Sequence, residues 1–198
     1  MKIKLWNTEV YITLWFSAVI TTLLLFDRTG FILPMIFSVF VHETAHLLSM
    51  TVKGCAPKEI VLIPGSIQIV SCKTPSIRID NIILFAGPLA NLIFAVMFFA
   101  FYNLKTNKTV LVYALIQMII GLFNLLPARG LDGGSIIYNI CLLKRNSYFA
   151  DLILQISSIC VVIFFIFIGV WLLFHGRGNP SFFIMAVYIF ILTILKYS

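Results

Sequence analysis

Six apolar stretches divide the chain, and a membrane-spanning helix needs roughly 20 such residues. We predict spans near residues 9–26, 31–51, 81–102, 109–126, 151–174 and 181–197. A shorter apolar segment at 131–143 is predicted to continue the fourth span after a break. This pattern predicts an all-α polytopic membrane protein with about six transmembrane helices, in a single domain over residues 1–198.

The longest connection between predicted spans, residues 52–80, has a different pattern. Two β-branched runs at 60–63 and 67–70 flank Pro64 and Gly65, which favours a β-hairpin. Such a hairpin is too short to cross the bilayer, so it is expected at the interface or among helices. It is the small membrane-associated β element of the predicted fold.

Composition supports the membrane class and excludes nucleic-acid binding. The chain is 61% hydrophobic and only 11% charged, and its charge of +7 comes from basic residues placed mainly between apolar blocks. Basic flanks of this kind match anionic lipid headgroups. Lysine and arginine placement favours both termini on the cytosolic side. No small-residue cleavage site follows the first apolar run, so a retained first helix is predicted. The four cysteines form no C-x-x-C pair, which favours free thiols over a disulfide framework.

The motif His-Glu-Thr-Ala-His at residues 42–46 lies inside the second apolar stretch. Two histidines four apart share one face of a helix, so both imidazoles can bind one metal ion. Glu43 then stands where it can accept a proton from water at the metal. Ionisable residues within a membrane are usually functional because they are costly to bury. The alternative is that His42, Glu43 and His46 satisfy one another in a helix bundle.

A peptidase-type zinc site requires a third protein ligand and an open position for water. Among seven acidic residues, only Asp132 lies in a distinctive motif, the segment 124–134 that ends in Leu-Asp-Gly-Gly. The alternative is that Asp132 caps the helix that follows it. Both roles can hold, at different oxygens.

Together these motifs resemble the site-2 protease family of intramembrane zinc metalloproteases. The six predicted spans place the likeness nearest to the stage IV sporulation protein FB group. The resemblance implies that His42, His46 and Asp132 bind Zn²⁺ and that Glu43 is the general base. It implies a place beside the active site for Asn124, which is a candidate hydrogen-bond donor to the oxyanion.

A third pattern, Gly87-Pro88-Leu89-Ala90-Asn91, resembles the G-P-x-x-N motif of the same family. It links Asn91 to the substrate-handling strand, although helix packing explains that residue equally well. The hairpin could pair with an extended substrate or simply lie at the interface. The chain departs from the family pattern in having Arg129-Gly130 where proline is common. This departure predicts a more flexible ligand loop, in which Arg129 contacts headgroups or substrate or only follows the positive-inside rule. No PDZ domain or CBS domain is expected.

The resemblance implies regulated intramembrane proteolysis of membrane-protein substrates in a bacterial cell membrane. A regulatory membrane protein is a possible partner, and sporulation is the process that the nearest group suggests. The alternative activity is metal or proton transport through the same buried ionisable residues. A third alternative is an inactive scaffold. Neither explains peptidase spacing combined with Leu-Asp-Gly-Gly as well as proteolysis does.

Overall fold

The structure, a computed structural model, describes residues 2–5, 8–63, 66–71, 75–144, 146–175 and 181–195. Over these ranges the strands and helices follow the order β1, β2, α1, α2, β3, β4, α3, α4, α5, α6, α7. The strands are β1 (Lys2–Leu5), β2 (Thr8–Ile12), β3 (Pro57–Ile63) and β4 (Ser66–Ser71). The helices are α1 (Leu14–Phe26), α2 (Ile32–Val52), α3 (Ile77–Lys105), α4 (Lys108–Asn124), α5 (Asp132–Lys144), α6 (Ser147–Phe174) and α7 (Ser181–Leu195). The chain divides into two compact units, Met1–Leu122 and Phe123–Ser198.

The β element is larger than the sequence predicted. The expected hairpin is present as β3 and β4, which pair antiparallel, while its predicted Pro64-Gly65 turn lies outside the described residues. A second antiparallel pair, β1 and β2, joins it through a parallel contact between β2 and β3, giving the order β1-β2-β3-β4. The protein is therefore mostly helical, with a four-stranded sheet.

The prediction that the first span starts near residue 9 is wrong. Residues 8–12 form β2, and the helix begins only at Leu14. The segment Thr8-Glu9-Val10-Tyr11-Ile12 is rich in β-branched and aromatic side chains, which suit a strand. It pairs with β1 next to it in the chain and also with β3, about fifty residues further along, so part of the pairing that fixes it is not local.

Three of the described helices are long and apolar enough to cross a membrane: α2, α3 and α6. Shorter apolar helices occupy 17–26, 108–124 and 181–191. Many large apolar side chains on the helices are exposed, for example Phe40 and Phe167 at 66% and 67%. Such a surface fits lipid rather than water. The protein is therefore an integral membrane protein, and three of its six predicted spans have full spanning length.

In the first unit, aromatic rings fasten α2 to α3 and α4. The ring of Phe37 packs edge-on against Phe94, Phe98 and Tyr113, with centroids 5.7–6.1 Å apart. Aromatic edge contacts of this kind stabilise a packed pair beyond the area that they bury. The contact fixes the rotation of α2, which carries the two histidines.

In the second unit, α6 packs against α5 and α7 around an apolar core. The core includes side chains from α6 and α7 and two from the connection between α4 and α5, Ala128 and Leu131. That connection, residues 125–131, is hereafter called the ligand loop because it leads directly into Asp132. It is thus part of the packed interior and not an open surface loop.

Candidate metal centre

His42 and His46 lie one turn apart on α2 and are both buried, with 6% and 8% of their surface exposed. Their Nε2 atoms are 3.0 Å apart, and their rings meet nearly at right angles. The i, i+4 spacing predicted this convergence because such residues share one helix face. The structure confirms that both imidazoles point to one place.

The His46 ring is oriented by a backbone carbonyl of α3. Nδ1 of His46 lies 2.7 Å from the carbonyl oxygen of Ile83. A carbonyl oxygen can only accept, so Nδ1 must carry the hydrogen and donate it. In the neutral ring, Nε2 of His46 then carries a lone pair directed at His42. Fixing a ligand histidine through its other nitrogen is usual in metal sites.

Gly87 of α3 provides the space that the two rings occupy. A Cβ built on this residue would lie 2.7 Å from Cε1 of His46 and 2.8 Å from Cε1 of His42, closer than real Cβ atoms come. A side chain at position 87 would therefore displace the rings. Gly87, the first residue of the Gly-Pro-Leu-Ala-Asn motif, thus leaves room for the two rings because it has no side chain. The sequence alone did not reveal this role.

Asn91 lies one turn further along α3 and is completely buried. Its Nδ2 is 3.4 Å from Nδ1 of His42, and its Oδ1 has no hydrogen-bond partner among the described residues. The oxygen and nitrogen of a side-chain amide are assigned from the hydrogen bonds around them. Rotating the amide by half a turn would turn Oδ1 towards His42, where it could accept a hydrogen from Nδ1. Both rings could then direct Nε2 lone pairs at the same point.

This arrangement fits a metal ion. Two nitrogen ligands of tetrahedral zinc, bound at about 2.0–2.1 Å, are separated by roughly 3.3 Å. The observed 3.0 Å between the Nε2 atoms is within a few tenths of an ångström of that value. Two lone pairs held this close repel each other unless a hydrogen or a cation lies between them. The pair can therefore hold a metal with little rearrangement.

The two predicted catalytic residues lie on or at the end of helices. Glu43 follows His42 on α2 and is half-buried. Asn124 is the last residue of α4 and is also half-buried. Their catalytic roles are taken up below as proposals.

Asp132, the predicted third ligand, belongs to the second unit. It is the first residue of α5 and is half-buried. The two glycines after it pack on the ligand loop, since a Cβ on Gly133 or Gly134 would overlap the carbonyls of Leu125 and Ala128. The Gly-Gly pair therefore lets the start of α5 sit directly on the loop backbone.

Arg129 does not extend towards headgroups, and that part of the sequence prediction is wrong. It is 5% exposed, its Nη2 lies 3.1 Å from Oδ1 of Asp151, and its backbone N–H donates to Oγ of Ser158. The next residue, Gly130, has φ +86. Proline has φ near −65° and cannot adopt this conformation. Position 130 of this chain therefore has a backbone conformation that proline could not adopt.

A buried polar pair near the histidines was missed by the sequence interpretation. Oγ of Ser38, one turn before His42 on α2, donates to Oε1 of Gln117 on α4 across 3.1 Å. Both residues are fully buried. A glutamine inside the apolar stretch 109–126 was the available signal, because a polar side chain within a span usually has a buried partner.

Residues 30–109 match the sequence profile of Peptidase family M50. This segment holds both histidines, Glu43, Gly87 and Asn91, while Asn124 and Asp132 lie outside it. No curated protein matches the sequence.

The structure is similar to that of the site-2 protease from Methanocaldococcus jannaschii, with a TM-score of 0.66 at 20% sequence identity. The match covers 98% of this chain and 93% of that chain. The chain has a site-2 protease fold. This fold covers nearly the whole chain and includes the long apolar helices that the sequence predicted.

Proposed function

We propose that the protein is an intramembrane zinc metalloprotease that hydrolyses peptide bonds in or near transmembrane segments of membrane-protein substrates. One observation carries this proposal: two buried imidazoles converge at 3.0 Å on a helix long and apolar enough to span a bilayer. The match of residues 30–109 to Peptidase family M50 and the site-2 protease fold support it. Under this proposal the chain belongs to that family, and residues 1–198 act as one catalytic domain.

His42 and His46 would hold the metal through Nε2, and Asp132 would supply the third protein ligand. Two imidazoles and a carboxylate are a common ligand set for catalytic zinc, with a fourth position left for water. When bound, zinc would polarise the scissile carbonyl and make a coordinated water more acidic. The support for Asp132 is its Leu-Asp-Gly-Gly motif and its fixed place at the start of α5.

The chain's own residues then divide the work of hydrolysis. Glu43 would accept a proton from the attacking water and deliver it to the leaving amine. Asn124 would donate a hydrogen bond to the oxyanion. The Ile83 carbonyl would hold the His46 ring at Nδ1, and Asn91 would hold the His42 ring at Nδ1.

The site would lie within the membrane, towards the cytosol, if both termini are cytosolic. Ten of the fourteen basic residues fall on the side that this orientation makes cytosolic, in keeping with the positive-inside rule. A bacterial cell membrane is the proposed location. A helical substrate ties up its carbonyls in hydrogen bonds, so a locally unwound segment must enter the site. Sporulation, regulated proteolysis and a regulatory membrane protein rest on the motif resemblance alone.

The test is cleavage of a tagged panel of single-span substrates co-expressed with wild type, Glu43→Ala or Asp132→Asn. We expect a shorter product with wild type only. Purified wild-type protein and Glu43→Ala should both contain about one zinc per chain, because Glu43 is not a ligand. Asp132→Asn should lose zinc.

The metal content decides the matter independently of the substrate panel. Wild-type protein without stoichiometric zinc would contradict the proposal. Stoichiometric zinc with metal flux across vesicles, equal in wild type and Glu43→Ala, would favour transport instead. A scaffold would be indifferent to both substitutions.

A further inference from the structure

One face of α6 contacts the ligand loop at two points and the start of α5 at a third. Asp151, Leu154 and Ser158 recur at the spacing of a single helix face. Asp151 Oδ1 accepts from Nη2 of Arg129 at 3.1 Å, and Ser158 Oγ accepts from the Arg129 backbone N–H at 2.8 Å. Leu154 packs on the start of α5, since a Cβ on Gly134 would lie 3.1 Å from its Cδ1.

The Arg129–Asp151 ion pair differs from an exposed surface pair because one of its two charges is buried. Arg129 is almost fully buried, whereas the side chain of Asp151 is 48% exposed. Exposed ion pairs contribute little to stability. A guanidinium taken out of water needs a charged partner, because a buried charge without one is strongly destabilising. The loop conformation that buries Arg129 is therefore coupled to the carboxylate on α6.

This attachment adds to the packing of Ala128 and Leu131 in the core. Gly130 is in the left-handed region, where its backbone is not restricted by a side chain or a proline ring. The Ser158 hydroxyl makes two hydrogen bonds: it donates to the Leu154 carbonyl and accepts from the Arg129 backbone N–H. Arg129 is thus a point at which the ligand loop is attached to α6, three residues before Asp132.

We propose that Arg129 and Asp151 form a tether that positions Asp132 for metal binding. Arg129 is a positioning residue that acts through the ligand loop. The inference rests on the proposed function, because it assumes that Asp132 is a ligand. It adds that the geometry of this ligand depends on an ion pair with α6.

The experiment measures the zinc dissociation constant by chelator competition in detergent, for wild type, Asp151→Asn, Asp151→Glu and the double variant Arg129→Met with Asp151→Leu. The double variant removes both charges, so it leaves no buried charge without a partner and should fold. We expect Asp151→Asn and the double variant to bind zinc 10- to 100-fold more weakly, as for lost supporting contacts. Asp151→Glu should remain within a few-fold of wild type.

Amide hydrogen exchange of metal-free protein gives a readout that does not depend on zinc. Exchange at Leu131 and Ser135, whose amides bond within the loop and the α5 start, should be faster in the double variant and in Asp151→Asn. Asp80→Asn, which alters a carboxylate in the first turn of α3, is the matched control and should change neither readout.

The outcomes separate the two proposals. If wild type binds no zinc, the proposed function fails, while the exchange data still report whether the tether exists. If wild type binds zinc and the folded double variant binds it equally well, the tether is not a positioning device. Loss of affinity in Asp151→Glu equal to that in Asp151→Asn would also overturn it, because the carboxylate would not be what matters.

Discussion

Gly87 and His46 are in direct contact, the backbone of one helix against the imidazole of another. A Cβ at position 87 would lie 2.7 Å from Cε1 of His46. The glycine is therefore required by the histidine ring and not by backbone conformation, since it lies within the regular helix α3. The metal-binding face of α2 is shaped by an absent side chain on α3.

Gly87→Ala is expected to abolish stoichiometric zinc binding while the protein remains folded. The added methyl group would force both imidazoles off their shared point, and alanine is otherwise favourable in a helix. Zinc content of the purified protein and its thermal unfolding in detergent measure the two effects. Leu89→Ala, on the exposed face of the same helix, should leave both unchanged. A Gly87→Ala protein with full zinc content would show that the rings have room to move.

Asn91→Ala is expected to weaken zinc binding 10- to 100-fold, the usual effect of removing a partner of a ligand histidine. Nδ1 of His42 would lose its side-chain partner in a fully buried position. Asn91→Asp supplies an acceptor to the same nitrogen and should bind zinc close to wild type. Chelator competition compares the two variants. Equal loss in both would indicate that Asn91 acts only in helix packing.

The candidate site was predictable where it depends on local spacing. The i, i+4 separation of His42 and His46 places both side chains on one face of α2 whatever surrounds the helix. Their supports were not predictable, because Ile83 and Gly87 lie on another helix and act through a carbonyl and through missing volume. Neither the carbonyl contact nor the missing volume can be read from the sequence. The resemblance marked Gly87 and Asn91 as parts of a motif without giving the physical reason.

The fold shows the same division. The helix predicted at 31–51 agrees within a residue with α2, and the one predicted at 181–197 agrees with α7 as far as Leu195, where the described residues end, because long apolar runs are strong signals. The strand β2 was assigned to a helix because it continues an apolar run into α1. Its pairing with β1 and β3 distinguishes it, and the pairing with β3 connects distant parts of the chain.

Ser38 and Gln117 should show coupled effects on stability. Ser38→Ala removes the hydroxyl bound to Oε1 of Gln117, whose Nε2 already has no partner among the described residues. Leaving a buried polar group without a partner costs about 1–3 kcal/mol, whereas replacing both partners can be nearly neutral. The double variant with Gln117→Leu should therefore lose less stability than the two single variants added together.

Reversible unfolding in mixed micelles measures this coupling. Thr44→Ala is the control, because the exposed Thr44 hydroxyl donates to the Phe40 carbonyl of its own helix. Strict additivity of Ser38→Ala and Gln117→Leu would mean that the pair contributes nothing as a unit.

Asp27 gives the connection before α2 a predicted dependence on pH. Its Oδ1 accepts from the hydroxyl and backbone N–H of Thr29 and from the N–H of Gly30, and its Oδ2 accepts from the N–H of Ile32, the first residue of α2. The Thr29 hydroxyl, with the backbone donors, holds the pKa of this carboxyl below its ordinary value of 3.8.

A carboxyl whose pKa is lowered by folding stabilises the folded state above its unfolded pKa. That stabilisation is lost as the pH falls through the folded pKa. Asp27→Asn removes the charge but keeps the shape, so it should lower the unfolding temperature near neutral pH, and the difference from wild type should shrink below 3.8. Thermal unfolding of both proteins in detergent, from about pH 7 to about pH 3, measures this. Thr29→Val, which removes the leading donor, should reduce the same difference. A gap between wild type and Asp27→Asn that stays constant at all pH values would show that the charge of Asp27 does not stabilise the start of α2.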